Sequence, residues 1–249
     1  ILMVPLMIET MAKKLEEASL LPAKIVKNQV FGKQFHTICS GGAYLDPKYI
    51  DMFKKYGIVI QQGYGMTECS PVISISQRWN IRSDSVGQLV PNCEAKTVDG
   101  ELWVKGSSVM QGYYRMPEET AETLKDGWLK TGDLGYVDEE GFVYLTGRKK
   151  NLIITKNGEN VSPEELENAL SGNRLVGEVL VREKGGVIEA EIYPDQDYVK
   201  RKRVKDVRAA LQEVIDAYNR TAAPQKKIYS LIVRDKEFEK TTTRKIKRF

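Results

Sequence analysis

The residue types best suited to chemistry lie in the stretch IQQGYGMTECSP, residues 60–71. Two glycines flank Tyr64 in this stretch, and Thr67 and Glu68 follow directly afterwards. Together these side chains offer an aromatic face, a hydroxyl and a carboxylate. A plain turn explains the glycines, and Thr67 as a helix cap explains the hydroxyl, but neither explains the whole set. The combination favours a ligand-binding loop.

The segments around this stretch predict an α/β arrangement. KQFHTICSGGAY is typical of a strand that runs into a glycine turn, and residues 57–62 form the next predicted strand. Between them, DPKYIDMFKKYG predicts a helix with Asp46 as N-cap and Pro47 at its first position. Residues 6–18 predict an amphipathic helix. Sheets of this kind bind ligands beyond the carboxyl ends of their strands, which is where Tyr64 lies.

The middle of the chain predicts a compact β-rich unit. Between residues 83 and 146, GELWVKG, SSVMQGYY and GFVYLTG are predicted to be short strands separated by glycines, and DEEGFVY is typical of a hairpin. The segment MPEETAETL predicts one helical interruption.

The last hundred residues predict a small α+β domain. NVSPEELENAL has the signature of a helix start, with Ser162 as N-cap, Glu165 closing a capping box, and Val161 and Leu166 as a hydrophobic staple. EVLVRE, GVIEAEIYP and KIYSLIVRD are typical of strands. Residues 204–218 predict a long amphipathic helix.

Composition excludes several classes of protein. The chain has 249 residues, of which 41% are hydrophobic and 29% charged, without an apolar run long enough to span a bilayer. Its three cysteines lack CxxC spacing and its only histidine is His36, which argues against a zinc site or a disulfide framework and favours the reducing cytoplasm. We expect His36 to be an ordinary strand residue.

Charge is unevenly spread along the chain. Residues 149–249 contain 22 Lys and Arg against 16 Asp and Glu. A basic half of this kind suits nucleic acid, an acidic membrane surface, or a polyanionic small ligand such as a nucleotide or coenzyme A. Composition does not choose among these partners.

Six motifs occur in an order that resembles the adenylate-forming superfamily of acyl-CoA synthetases, peptide-synthetase adenylation domains and luciferases. They are SGGAYLDP (40–47), GYGMTE (63–68), GELWVKGSSVMQGYY (100–114), WLKTGDLG (128–135), GRKKNLIITKNGENVSPEELE (147–167) and TTTRKIKR (241–248). The fifth motif looks most like the long-chain fatty-acid CoA ligase branch. The resemblance implies an α/β fold class: the end of a large α/β domain (1–82), its β-rich distorted-barrel subdomain (83–148), and a small mobile α+β lid (149–249).

The resemblance also implies roles for individual residues. Tyr64 would stack on adenine, Thr67 would donate to an α-phosphate oxygen, and Glu68 would bind Mg²⁺. Lys245 would neutralise charge in the adenylation step. The other residues expected to bind ATP or AMP, or to move with the lid, are Gly41, Gly42, Ala43, Gln62, Gly63, Gly65, Met66, Asp133, Tyr144, Arg148, Lys150 and Gly158. Among them, Asp133 and Arg148 would bind the ribose, and Lys150 would be the hinge.

The implied activity is ATP-dependent formation of acyl-CoA from a fatty acid through an acyl-adenylate, with ATP, Mg²⁺ and coenzyme A. The alternative acceptor is the phosphopantetheine of a carrier protein. We expect no nucleic acid partner and at most peripheral membrane contact. The family's phosphate loop has no match here. We therefore expect the chain to be part of a longer protein and to adenylate poorly by itself.

Overall fold

The structure is a computed structural model that describes residues 1–17, 21–241 and 246–248. Its contacts divide the chain into two compact units, Ile1–Leu145 and Thr146–Phe249, which are described separately below. The predicted boundaries after residues 82 and 148 stay predictions. Within the described ranges, every helix is too short or too polar to cross a bilayer.

The first unit begins with a five-stranded sheet. Its strands are β1 Leu2–Met3, β2 Thr37–Gly41, β3 Val59–Gly65, β4 Val72–Ile75 and β5 Gln88–Leu89, in that spatial order. The pairs β1–β2 and β2–β3 are parallel, whereas β4 is antiparallel to both neighbours. Three helices belong to this part: α1 Pro5–Glu17, α2 Ala23–Val30 and α3 Pro47–Lys55. The α/β class predicted from the sequence is confirmed.

Local signals explain why these elements form. The Asp46 carboxylate accepts the backbone N–H of Lys48 at 2.9 Å, and Pro47 occupies the first helical position of α3, as predicted. Helix α1 agrees with the predicted helix over 6–18, except that residue 18 lies outside the described residues. Strand residues Ile38 and Ile60 share one fully buried core with Leu15 and Phe53 from the helices.

Strand β3 is longer than the sequence predicts, because it continues through the motif to Gly65 instead of ending at Gln62. Its alternation persists, with Ile60, Gln62 and Tyr64 buried on one face. A short 3₁₀ turn, Thr67–Cys69, then follows. His36 was predicted to lie in a strand but precedes β2, and its Nδ1 lies 3.2 Å from the Lys27 Nζ.

A second sheet forms the β-rich part of the first unit. Its strands are β6 Cys93–Val98, β7 Glu101–Gly106, β8 Leu124–Lys125, β9 Trp128–Val137 and β10 Val143–Arg148, and the division between the units falls within β10. The order is β10-β9-β7-β6, with β8 paired to β9. Helix α4, Pro117–Thr123, agrees with the predicted interruption.

Asp138 closes the β9–β10 hairpin that the sequence predicts. Its carboxylate accepts the backbone N–H groups of Glu140 at 3.0 Å and Phe142 at 2.9 Å. By contrast, SSVMQGYY was wrongly predicted as a strand. The segment forms turns, and the N–H of Met110 bonds to the Glu68 carbonyl at 2.8 Å rather than to a neighbouring strand.

The second unit is an α+β domain. Its elements are β11 Ile153–Ile154, β12 Asn160–Val161, α5 Pro163–Ser171, β13 Val176–Lys184, β14 Val187–Pro194, α6 Gln196–Lys202, α7 Val207–Thr221 and β15 Ser230–Val233. Strand β14 pairs antiparallel with β13 and parallel with β15. Leu166 of α5 and Leu211 and Ile215 of α7 contribute to one core against this sheet.

The N-cap of α5 is confirmed at Ser162, but the predicted capping box and the predicted start of the long helix are wrong. Ser162 is the N-cap of α5, but its hydroxyl donates to the Thr146 carbonyl at 2.8 Å and makes no cap bond. Glu165 does not close a capping box, because both its oxygens accept from Lys226 Nζ. Helix α7 begins at Val207, and α6 was not predicted.

Candidate functional site

Gly41 and Gly63 lie opposite each other on β2 and β3. A Cβ on Gly41 would lie 3.0 Å from the Gly63 carbonyl oxygen, which is tighter than ordinary packing. A Cβ on Gly63 would meet only the Ser74 and Ser40 carbonyl oxygens, at 3.8 and 3.9 Å. Gly42 has φ +84° with open space around it, and Ala43 is exposed. The structure therefore leaves bare backbone at the end of β2 and β3.

Gly65 has a different physical role from Gly63. A Cβ on Gly65 would lie 1.8 Å from the carbonyl oxygen of Pro71. The same oxygen accepts the N–H of Met66 at 2.8 Å, so the chain folds back on itself here. The protein's own backbone fills the space that a side chain would need. Gly65 is therefore required for the turn whether or not a ligand binds.

Tyr64 and Asp133 form one buried pair. The Tyr64 hydroxyl donates to Asp133 Oδ2 at 2.6 Å, although 69 residues separate the two in sequence. Tyr64 is 9% exposed and Asp133 is 5% exposed. The Asp133 N–H also bonds to the Thr131 hydroxyl at 3.1 Å. A short bond of this type to a carboxylate fixes its orientation.

Gln62 is buried on the same face of β3 as Tyr64, and it holds the loop around Ser83 and Ser85 in place. Its side-chain N–H groups donate to the carbonyl oxygens of Ser83 at 3.2 Å and Ser85 at 2.9 Å. Its backbone also exchanges hydrogen bonds with Ser76. The amide is thus used by the protein itself in this structure.

Thr67 and Glu68 lie in the 3₁₀ turn that follows β3. Thr67 is exposed, and no hydrogen bond joins its hydroxyl to another residue that the structure describes; the helix-capping alternative is not observed. Glu68 Oε1 accepts the Tyr113 hydroxyl at 2.8 Å. That hydrogen bond raises the pKa of Tyr113, so the phenol keeps its proton and stays a donor.

The groups at Glu68 fit a magnesium ion held chiefly by substrate. Among the residues that the structure describes, there is no group of three or more His, Cys, Asp or Glu side chains that could hold a metal ion. Mg²⁺ is commonly bound by one or two carboxylates together with phosphates and water. Tyr113 engages only one oxygen of Glu68. A carboxylate of which Tyr113 engages one oxygen therefore fits Mg²⁺ that is bound together with phosphates.

Tyr144, expected at the nucleotide site, lies in an ionic cluster around Arg82. Arg82 Nη1 donates to Asp138 Oδ2 at 2.5 Å and to the Tyr144 hydroxyl at 3.0 Å. The guanidinium also lies 4.0 Å from the Phe142 ring centroid. The Tyr144 ring stacks on Tyr136 at 4.8 Å. Much of the hydrogen-bonding capacity of Tyr144 is therefore used inside the protein.

Three residues near the start of the second unit were expected at the site, and all three are exposed: Arg148, Lys150 and Gly158. Arg148 ends β10, and Lys150 lies in the 3₁₀ turn Lys149–Asn151. Gly158 forms the tip of the β11–β12 hairpin with φ +80°, and its N–H bonds to the Thr155 carbonyl at 2.9 Å. The positive φ of this turn lies on Gly158 and not on Asn157.

Lys245, the expected catalytic lysine, lies outside the described residues. The chain on either side of it is described. Lys240 and Ile246 form an antiparallel bridge, and the Lys247 N–H bonds to the Glu239 carbonyl at 2.9 Å.

Sequence reasoning assigned Tyr64, Asp133, Thr67 and Glu68 to one site but missed Tyr113. Tyr113 lies in the motif GELWVKGSSVMQGYY, so the sequence indicates that its segment matters. Its hydrogen bond to Glu68, however, joins residues that are 45 positions apart, and no local sequence pattern predicts such a bond. Cys69, next to Glu68, is excluded as a nucleophile. Burial raises the pKa of its thiol to about 12, so the thiol stays protonated.

Comparison with known families agrees with this geometry. Residues 1–114 match the model of the AMP-binding enzyme family, and residues 150–249 match the AMP-binding enzyme C-terminal domain. The chain is 43% identical over 143 residues to the long-chain-fatty-acid–CoA ligase FadD15 of Mycobacterium bovis, covering 57% of this chain and 24% of that protein. It is 36% identical over 223 residues to the long-chain-fatty-acid–CoA ligase of Bacillus subtilis, covering 84% of this chain and 39% of that protein.

A solved structure shows the same fold. The o-succinylbenzoate CoA synthetase of Bacillus subtilis, in complex with its acyl-adenylate intermediate, is 28% identical with a TM-score of 0.77, over 98% of this chain and 49% of that one. The chain thus spans about a quarter to two fifths of the curated relatives described above. The two family matches, in order and covering most of its length, show that the chain belongs to the adenylate-forming, AMP-binding enzyme superfamily.

Proposed function

We propose that the full-length protein is an ATP-dependent acyl-CoA synthetase that acts on a fatty carboxylate. Acyl-adenylate formation is supported by the family and by the similarity to a synthetase solved with such an intermediate. The fatty acid is suggested by the names of the two curated relatives. The observation that carries the proposal is the hydrogen bond to Asp133 of β9 from Tyr64, which lies on β3, the strand that leads directly into Thr67 and Glu68.

These residues have distinct roles in the proposed binding of ATP. The bare backbone at Gly41 and Gly63 gives the adenine an approach to the main chain. Asp133, oriented by the Tyr64 hydroxyl, accepts hydrogen bonds from the ribose. Because Tyr64 is nearly buried, its contribution to stacking is limited to the ring edge or face that remains exposed.

In the first step, a carboxylate oxygen attacks the α-phosphorus of ATP, the bond to the β-phosphate oxygen breaks, and pyrophosphate leaves. The exposed Thr67 hydroxyl donates to an α-phosphate oxygen, and Glu68 holds Mg²⁺, which neutralises phosphate charge when bound. Lys245 adds positive charge at the reacting carboxylate and phosphate.

In the second step, the thiol of coenzyme A attacks the acyl carbon, AMP leaves, and the thiol proton passes to solvent. The exposed hairpin tip at Gly158 is the proposed element that faces this reaction, and Lys150 is the proposed hinge between the two steps. Arg148 is proposed to bind the ribose.

Lys245→Ala tests the proposal in the full-length protein. We expect carboxylate-dependent ATP–pyrophosphate exchange to fall by at least about a hundredfold, because one fixed charge at a developing anion has about that effect. Formation of thioester from supplied acyl-AMP should remain. Both are measured with labelled pyrophosphate and by chromatography of acyl-CoA.

Lys247→Ala is the matched control. It removes an identical charge two residues away, on a side chain that is 49% exposed and pairs with the exposed Glu239 at 3.6 Å. Exchange that survives Lys245→Ala would contradict the role given to Lys245. Absence of exchange in the parent protein with every fatty acid of a chain-length panel would contradict the proposed function itself.

A further inference from the structure

The segment that follows β15 is fastened to β13 by Glu178. The Glu178 carboxylate accepts the backbone N–H of Phe238 at 2.8 Å and forms an ion pair with Lys240. Lys240 also pairs with Glu237 at 2.9 Å. The hydrogen bonds with these carboxylates raise the pKa of Lys240, so the ammonium stays charged. This upstream anchor immediately precedes Thr241 and the residues that include Lys245.

Arg248 forms a second anchor, three positions beyond Lys245. Its Nη2 lies 2.5 Å from Glu167 Oε2 and 3.4 Å from Glu164 Oε1, both on α5. Its Nη1 donates to the Val181 carbonyl at 3.5 Å. The other oxygen of Glu167 accepts the Val181 N–H at 2.7 Å. Arg248 and Glu167 together therefore satisfy both backbone groups of Val181 on the outer strand of the sheet.

The ion pair of Arg248 is much more buried than that of Lys247, its neighbour in the same basic tail. The Arg248 side chain is 18% exposed and Glu167 is 13% exposed, whereas Lys247 and Glu239 are 49% and 86% exposed. An exposed pair contributes about 0–1 kcal/mol, but removal of one partner from a largely buried pair leaves a charge without compensation. A planar guanidinium can serve two carboxylates and a carbonyl at once, which an ammonium does less well.

The two anchors hold the ends of one short segment. Lys240 forms an antiparallel bridge with Ile246, and the Lys247 N–H donates to the Glu239 carbonyl, so residues 239–240 lie beside residues 246–247. Lys240 is tied to β13 and Arg248 to α5 and β13. The described residues on both sides of 242–245 are therefore fastened to the second unit.

We propose that Arg248 is a positioning residue for adenylation, which fixes on the second unit the base of the segment that carries Lys245. This inference rests on the proposed function, because it assigns Lys245 to the adenylation step. Arg248 acts through the placement of Lys245 and not through contact with substrate. It should therefore affect the half-reaction that needs Lys245 and spare the half-reaction that does not.

The test compares Arg248→Gln and Arg248→Lys with Lys247→Gln in the full-length protein at pH 8. That pH lies above the pKa of Glu167, which burial raises to about 7. For Arg248→Gln we expect kcat for ATP–pyrophosphate exchange to fall about tenfold to a hundredfold, since misplacement of a catalytic group by about 1 Å has such an effect. KM for ATP and conversion of supplied acyl-AMP should stay within about twofold. Arg248→Lys should recover part of the loss, and Lys247→Gln should match the parent.

Hydrogen exchange supplies a readout that does not depend on activity. Peptides covering residues 239–249 should exchange faster in Arg248→Gln than in Lys247→Gln, while peptides of β14 and α7 should be unchanged. If Arg248→Gln does not fold, Arg248→Lys carries the same comparison.

The inference is overturned if both half-reactions fall together, which would indicate a general structural role, or if exchange of pyrophosphate is unaffected. Pyrophosphate exchange by Lys245→Ala shows whether such a result contradicts only the positioning role of Arg248 or also the proposed function. If Lys245→Ala abolishes exchange and Arg248→Gln does not alter it, only the positioning role is wrong. If Lys245→Ala retains exchange, the assignment of Lys245 is wrong and the positioning role falls with it.

Discussion

Gly63 and Gly65 lie two residues apart on β3, but the fold requires a glycine only at position 65. A methyl group added to Gly63 would fit, because its nearest neighbouring atoms would lie at 3.8 and 3.9 Å. Space beside Gly65 is taken by the Pro71 carbonyl. A glycine that the fold itself does not need is a better indicator of ligand approach than one that the fold demands.

Gly63→Ala and Gly65→Ala should therefore fail in different ways. We expect Gly63→Ala to leave the thermal unfolding temperature within about 2 °C of the parent and to raise KM for ATP several-fold. Gly65→Ala should lower the unfolding temperature, because Met66 and the following turn must move. Calorimetry and ATP titration of the full-length protein distinguish them. An unchanged KM in Gly63→Ala would argue against adenine at this position.

Tyr113 connects the β-rich part of the first unit to Glu68, the carboxylate that is proposed to bind magnesium. Its hydroxyl is protonated and donates to Glu68 Oε1, while the Met110 N–H holds the Glu68 carbonyl. Groups that orient a metal-binding carboxylate in this way commonly change metal affinity by about tenfold to a hundredfold.

Tyr113→Phe should raise the Mg²⁺ concentration required for half-maximal pyrophosphate exchange by about tenfold, with kcat restored at saturating Mg²⁺. Tyr114→Phe is the control, because Tyr114 is 83% exposed. The measurement is a magnesium titration at fixed ATP. A lower kcat that saturating Mg²⁺ does not restore would assign Tyr113 a role other than orientation of Glu68.

At the scale of elements, helix α5 carries a cluster of acidic residues near its N-terminus that serve different partners. Glu165 pairs with Lys226, while Glu164 and Glu167 share Arg248. Acidic side chains are favourable in the first turn of a helix. Glu167 is the most deeply placed, and burial raises its pKa to about 7 against the lowering effect of Arg248.

Glu167 should make the free energy of unfolding depend on pH. Because burial raises its pKa in the folded state from the ordinary glutamate value of 4.5 to about 7, the folded state holds a proton that the unfolded state releases between about pH 4.5 and 7. Its contribution to stability is therefore present at lower pH and is lost as the pH rises to about 7, by at most about 3 kcal/mol. Denaturant unfolding at pH 5 and 8 should show this difference in the parent and not in Glu167→Gln. Glu165→Gln should resemble the parent.

At the scale of the whole molecule, each compact unit has its own core. The core of the second unit contains Leu166, Leu211 and Ile215, whereas Ile38, Ile60 and Phe53 belong to a core of the first. Units with separate cores can open as separate cooperative units.

Leu211→Ala should therefore destabilise residues 146–249 selectively, by about 2–5 kcal/mol, since Leu211 is fully buried. Native-state hydrogen exchange of the full-length protein should show loss of protection in β13, β14 and α7, and none in β2 or β3. Ile60→Ala should give the reverse pattern. Equal loss of protection in both units after either substitution would contradict separate cores.

The sequence alone determined the features whose causes are local. Asp46 and Pro47 predict the start of α3 because a cap and a fixed φ act within a few residues. Asp138 and Gly141 similarly predict the β9–β10 turn. The ordered motifs indicate the superfamily by themselves, because they stand at defined places in the chain.

Only the tertiary structure decided which side chains meet. The bonds Tyr64–Asp133 and Glu68–Tyr113 join residues far apart in sequence, and their existence depends on how the two sheets of the first unit pack. For the same reason, Ser162 uses its hydroxyl on Thr146 rather than as a cap, although its local sequence predicts a capping box. Local conformational preferences act over a few residues, whereas hydrogen-bond partners are chosen by the folded surroundings, so the site was recognisable from sequence but its internal geometry was not.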